Sequence, residues 1–128
     1  MSILLMIMAA EAFVCGDSQQ GKDDVFCSAQ NLKRSDKELY QRWPRAFEGA
    51  REMDRKARSK HENADGLPSF EQALINSQRA WLRYRNTKCL VESYQSRFSR
   101  WQVRDDAYCK TQMNEDRMIA LGLKARKK

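Results

Sequence analysis

The sequence predicts an all-α fold: a helical hairpin with a kinked first helix, a third helix packed across the hairpin's open end, and disulfides stapling the assembly. Three observations carry this. Apolar residues recur every three or four positions in three separate segments, no stretch alternates with the two-residue period of a strand, and a polar break containing Gly66 and Pro68 divides the first segment from the second.

The first segment follows a loop that contains Cys15, Gly16 and Gly21. Helical signals begin at Asp23 and Asp24, where carboxylates suit the positive end of a helix. Leu32, Asp36, Leu39, Trp43, Phe47, Ala50 and Met53 then form one stripe, which predicts a long helix ending near Ser59. Pro44 lies inside it. A mid-helix proline removes one backbone hydrogen bond and costs about 3 kcal/mol, so a kink or a break into two helices is expected there.

The polar residues from Lys60 to Pro68 form the linker. Ser69 followed by Gln72 has capping-box form, and Phe70, Leu74, Ser77, Trp81 and Tyr84 carry a second helix through Cys89 towards Phe98. The period fails around Ser99 to Arg104. Asp105 and Asp106 open a third helix, which runs through Cys109, Met113, Arg117 and Leu121 to a stop at Gly122, and the basic residues from Lys124 to Lys128 read as a frayed tail.

The second helix carries the most unusual pattern in the chain. Leu74, Gln78, Trp81, Arg85 and Cys89 stack on one helical face, mixing an indole, an amide, a guanidinium and a thiol where an ordinary seam would be aliphatic. An inward Arg needs a partner, because an unpaired buried charge costs several kcal/mol. Asp36 sits on the first helix's inward stripe and supplies one. The expected role of Gln78, Trp81 and Arg85 is therefore to lock two helices together before any contact with a ligand.

This helix resembles the signature of the lysozyme-inhibitor LprI-like family of small bacterial envelope proteins, whose hallmark is Leu-x-x-x-Gln-x-x-Trp-x-x-x-Arg-x-x-x-Cys. The resemblance extends to Cys15 and Cys27 with their twelve-residue step, to the segment from Asp36 to Trp43, and to the series Cys109, Met113, Arg117, Leu121. Two positions depart from the family pattern, Tyr40 where Asn is usual and Trp43 where Tyr is usual, and Pro44 interrupts what is normally a smooth helix. The resemblance implies a helical protein-binding scaffold that inhibits a cell-wall hydrolase.

At 128 residues the chain is one domain by length, with 41% hydrophobic and 32% charged residues. Residues 1–12 read as a short signal peptide, since Ile3 to Ala10 is an uncharged apolar block and Ala10-Glu11-Ala12 has small-x-small form, placing cleavage before Phe13. The helical domain then spans 13–122 and the tail 123–128. The competing reading of the first residues is the N-terminal segment of a cytosolic protein. Four cysteines support export: they contain no C-x-x-C pair, the single His61 is remote from all of them, and an even count fits two disulfides in an oxidising periplasm better than a zinc site. A lipoprotein is disfavoured because Ala12-Phe13-Val14 lacks the small residue expected before an acylated Cys15. Antiparallel geometry sets Cys27 at the height where the third helix begins and so near Cys109, leaving Cys15 to reach Cys89. Of the three pairings that four cysteines allow, Cys15–Cys89 with Cys27–Cys109 is thus expected, each long loop contributing about 4 kcal/mol.

No catalytic constellation is present. His61-Glu62-Asn63-Ala64-Asp65 has Asp where a zinc-protease motif needs its second His, and nucleophile elbows and phosphate-binding glycine loops are missing, so neither enzymatic activity nor a cofactor is expected. Formal net charge is +7. Such a balance favours anionic partners. Arg97, Arg100 and Arg104 flank Phe98 and Trp101, a pattern able to stack on bases, but export and disulfides argue against nucleic acid. No apolar run is long enough to span a membrane. The function expected is a periplasmic inhibitor that blocks a hydrolase cleft sterically. The alternative is an immunity protein that neutralises a periplasm-delivered toxin. Because animal-type lysozymes are themselves basic, the inhibitor would need a local acidic patch, with Glu62, Asp65 and Glu71, or Asp23 and Asp24, as candidates.

Overall fold

The computed structural model describes Cys15 and residues 25–60 and 65–127. The expected signal peptide, the Asp23–Asp24 helix start, and His61 and Glu62 lie outside the described residues. The described residues form three α-helices: α1, Val25–Lys60, α2, Phe70–Ser93, and α3, Trp101–Ala120, with one 3-10 turn at Tyr94–Ser96 between the last two. No strand occurs among the described residues.

Cross-helix contacts fix the topology. Asp54 meets Phe70 and Asp36 meets Arg85, so α1 and α2 run antiparallel. Arg117 meets Gln78 and Cys89 joins Cys109, so α3 reverses again. Ser35 meets Asn114, and Arg42 meets the Leu123 carbonyl, so α3 lies parallel to α1. With 36, 24 and 20 residues the helices are about 54, 36 and 30 Å long. The third helix therefore fills the open end of the hairpin, and the far half of α1 packs against α2 alone.

The helix ends have local causes. Ser69 caps α2 by accepting from the Gln72 amide at 3.1 Å, as its sequence context predicts. Asp54 of α1 adds a cap from outside the helix: its carboxylate accepts from the Phe70 and Glu71 amides at 2.7 and 3.0 Å, which also holds its pKa below the ordinary carboxylate range. Asp54 is buried while Met53 is 55% exposed, so the inward stripe of α1 passes from Ala50 to Asp54 and not to Met53. At the other end of the fold, Gly122 adopts φ +69°. Leu123 and Gly122 donate back to Met118 and Ile119 at 2.8 and 3.0 Å, a Schellman stop that turns Leu123 into the core.

Pro44 does not break α1, which is one continuous helix. The ring and the Tyr40 residue whose carbonyl loses its helical donor both lie on the exposed side, where that carbonyl is open to solvent. α2 ends at Ser93, short of Phe98, and α3 begins at Trp101, before Asp105. Lys124, the first residue of the expected frayed tail, is instead tied to the fold. Lys124 bridges Glu38 and Glu115 at 3.1 and 3.0 Å, beside the Arg42 bond to Leu123.

The apolar core is thin. Leu39, Met118 and Leu123 form its buried cluster, with Ala46, Trp81 and Leu121 packed against it. Among fully buried side chains the largest are Met118 and then Asn114, a polar group. Disulfides compensate, but in a different pairing from the expected one: Cys15–Cys27 and Cys89–Cys109. Cys109 does lie at the height of Cys27. Its side chain, however, shares the Met113 and Arg117 face, which looks onto α2, while Ala107, Asn114 and Met118 make the face towards α1. Sequence separations of 12 and 20 give about 3 kcal/mol per bridge in the chain-entropy model.

Candidate functional site

The signature stripe of α2 is half-buried at Leu74, Gln78 and Trp81 and buried at Arg85 and Cys89. Arg85 donates through Nη1 to Asp36 Oδ1 and Asn114 Oδ1, both at 2.8 Å, and through Nε and Nη2 to Asn86 Oδ1 at 3.1 and 3.0 Å. The expected Asp36–Arg85 pair is therefore present. Of the buried or half-buried pair expected, the half-buried form is found: the Arg85 side chain is 10% exposed and that of Asp36 is 48% exposed, open to solvent. The pair is a charge clamp at the rim of the bundle, with weaker coupling than a fully buried one.

Asn114 is the residue that sequence reasoning missed. Fully buried, it accepts from Arg85 and donates to Ser35 Oγ and Asp36 Oδ1 at 2.8 Å each, so one amide ties all three helices together. The signal existed. Ala107, Thr111, Asn114, Met118 and Leu121 follow a four-three-four-three spacing, but the series through Cys109, Met113 and Arg117 satisfies the helical period equally well on the neighbouring face.

Trp81 receives two guanidinium groups over its ring, Arg85 at 5.6 Å and Arg117 at 5.5 Å from the centroid. Arg117 donates to Gln78 Oε1 at 3.0 Å and Ser77 Oγ at 3.1 Å, neutral partners only, and burial lowers its pKa. It stays charged, as arginine does in proteins. Leu39 joins the core, and Trp43 packs edge-on to Phe47 at 5.9 Å. Asp36, Leu39, Tyr40, Trp43, Gln78, Leu82 and Arg85 line an open groove of about 480 Å³ between α1 and α2. Asp36, Gln78, Trp81, Arg85 and Arg117 thus meet across the helices with Asn114, and a shallow groove lies at their edge.

Among the described residues no group of three or more His, Cys, Asp or Glu side chains could hold a metal ion. No described helix is long and apolar enough to cross a membrane. The acidic patch expected near the linker is partly spent within the fold, since Glu71 pairs with Arg51 at 3.4 Å and Asp65 accepts from the Leu67 amide at 3.0 Å.

The turn joining α2 to α3 is different in character. Arg97 stacks on Tyr94 and Phe98 at 4.6 and 4.9 Å, and Arg100 and Arg104 stack on Trp101 at 4.2 and 4.7 Å. Arg104 and Ser96 both hold Asp105, whose pKa is lowered chiefly by the Ser96 hydroxyl and then by Arg104, against the opposing effect of burial.

No curated protein and no solved structure matches this chain. A family model described as lysozyme inhibitor LprI matches residues 15–121, from the first disulfide cysteine to the end of α3. With its signature stripe, both disulfides and all three helices inside that match, the chain belongs to the LprI lysozyme inhibitor family.

Proposed function

We propose that this protein is an extracytoplasmic binding protein that inhibits a glycan-cleaving cell-wall hydrolase by steric occlusion and performs no catalysis itself. The family match over residues 15–121 carries this reading. Two disulfides support an oxidising compartment, the periplasm reached through the signal segment 1–12. Gln78, Trp81, Arg85 and Arg117 are engaged with one another and with Asp36 and Asn114, so they build the scaffold, and the partner meets surfaces around it.

Charge is the main physical obstacle. A +7 protein and a basic lysozyme repel at long range. Net charge does not decide a contact, however, because the cleft of a glycan hydrolase carries paired carboxylates whatever the charge of the rest of its surface. A basic, protruding element entering that cleft is locally complementary. The same +7 favours a second reading, an immunity protein for an acidic toxin delivered to the periplasm.

Clearing of a peptidoglycan suspension by a panel of lysozymes, with and without the oxidised protein, tests the proposal. Slowed lysis that saturates with added protein is the expected result. If no lysozyme is inhibited or bound at micromolar concentration, while an acidic toxin encoded beside this gene binds with salt-sensitive kinetics, the immunity reading stands instead.

A further inference from the structure

Phe98 is the most exposed large hydrophobic side chain of the described fold, at 92%, and it alone among non-glycine described residues has a positive φ, +68°. Both properties are unfavourable for a phenylalanine in a free protein. An aromatic ring gains nothing from water, and a bulky side chain in the left-handed region is strained. Strain and exposure at one residue mark a place where the backbone is held to present a side chain.

The surroundings supply the holding. The Cys89–Cys109 bridge clamps the two helices behind the turn, with Cα atoms 5.5 Å apart. Ser93 is fully buried, Ser96 donates to Asp105 at 2.6 Å, and the Arg97 and Ser99 amides donate back to Tyr94 and Ser96. Arg97 lies over the ring, and Arg100, two residues on, lies over Trp101; neither has an ion-pair partner among the described residues. A preorganised aromatic, flanked in sequence by two guanidiniums that stack on rings and have no carboxylate partner among the described residues, has the composition of an interface anchor.

We infer that the α2–α3 turn, with Phe98 as wedge and Arg97 and Arg100 as flanking charges, is the element that enters the carboxylate-lined cleft of the target hydrolase. This rests on the inhibitor reading above. Charge complementarity selects the occupant: the flat ring suits a subsite built for the apolar face of a sugar, and the two guanidiniums suit the pair of carboxylates that flank the scissile bond. The groove beside Tyr40, which is 81% exposed, is the competing surface and provides the control.

Phe98→Gly isolates the ring, because glycine adopts positive φ without strain. It should unfold at the same temperature as the wild type or higher, yet weaken inhibition of a purified lysozyme at least about tenfold. Arg97→Glu with Arg100→Glu should weaken it at least as much, because each substitution sets a carboxylate against the carboxylates of the cleft. Tyr40→Ser should leave it unchanged. Wild-type inhibition that survives Phe98→Gly or the double glutamate substitution, or that is lost in Tyr40→Ser, overturns the turn as the docking element while the inhibitor reading stands. A wild-type protein that inhibits no lysozyme of the panel overturns both.

Discussion

Replacing Asn114 with alanine should be among the most damaging single changes to this fold. The side chain is fully buried and makes three hydrogen bonds of 2.8 Å, to Arg85, Ser35 and Asp36. The bond to Ser35 has a net worth of about 1 kcal/mol, and that to the Arg85 guanidinium about 1.5 to 2 kcal/mol. Asp36 is half-exposed, so water recovers part of its bond and about 0.5 to 1 kcal/mol is lost there. Asn114→Ala should therefore destabilise by about 3 to 4 kcal/mol, a large share of the 5 to 15 kcal/mol typical of a domain. Asp36→Ala should cost less, about 2 kcal/mol: the buried Arg85 loses its carboxylate but keeps Asn114 and Asn86 as acceptors, and water reaches the rim where Asp36 stands. Urea denaturation of both variants, followed by far-ultraviolet circular dichroism, gives the comparison through the midpoint at constant slope. A loss below about 1 kcal/mol for Asn114→Ala, or an equal or larger loss for Asp36→Ala, would refute the assignment of Asn114 as the centre of the network.

Peptide mapping of the unreduced protein should recover Cys15 linked to Cys27 and Cys89 linked to Cys109; a Cys15–Cys89 or Cys27–Cys109 peptide would contradict the fold. Pro44→Ala should stabilise by about 1 to 3 kcal/mol, since alanine restores the bond to the Tyr40 carbonyl in an otherwise unbroken helix; a lower melting temperature would show that the proline sets a bend the packing needs. Asp54 and Asp105 have folded-state pKa values lowered from 3.8, so the unfolded chain binds more protons in acid. Their contribution to stability is then complete above about pH 4 to 5 and lost as pH falls through the folded values. Asp54→Ala should lower stability near neutral pH and flatten its decline between about pH 5 and 2; an acid profile parallel to that of the wild type would rule out the Asp54 cap.

The helices and the Asp36–Arg85 pair were legible in the sequence because helical periodicity and an unpaired inward charge are local signals. Which face of α3 meets which neighbour is not local. Two stripes one residue apart, through Arg117 and through Asn114, both satisfy the helical period, and only packing decides that the first looks onto α2 and the second onto α1. The same ambiguity misdirected the disulfide pairing, where height along the bundle was right and direction was wrong. Pro44 shows a further limit: the cost of the missing amide depends on whether the orphaned carbonyl faces water. Phe98 carried no sequence warning of its positive φ, since nothing in Ser96 to Arg100 distinguishes a tight turn from a frayed helix end.

Steady-state kinetics of a lysozyme on a soluble oligosaccharide, titrated with the oxidised protein, test the central claim of cleft occlusion most directly. Competitive inhibition is predicted, with apparent KM rising in proportion to inhibitor and kcat unchanged, and with a cleft-filling oligosaccharide displacing the protein. A fall in kcat at constant KM, or a complex that persists with the cleft filled, would place the contact elsewhere on the enzyme and contradict the account.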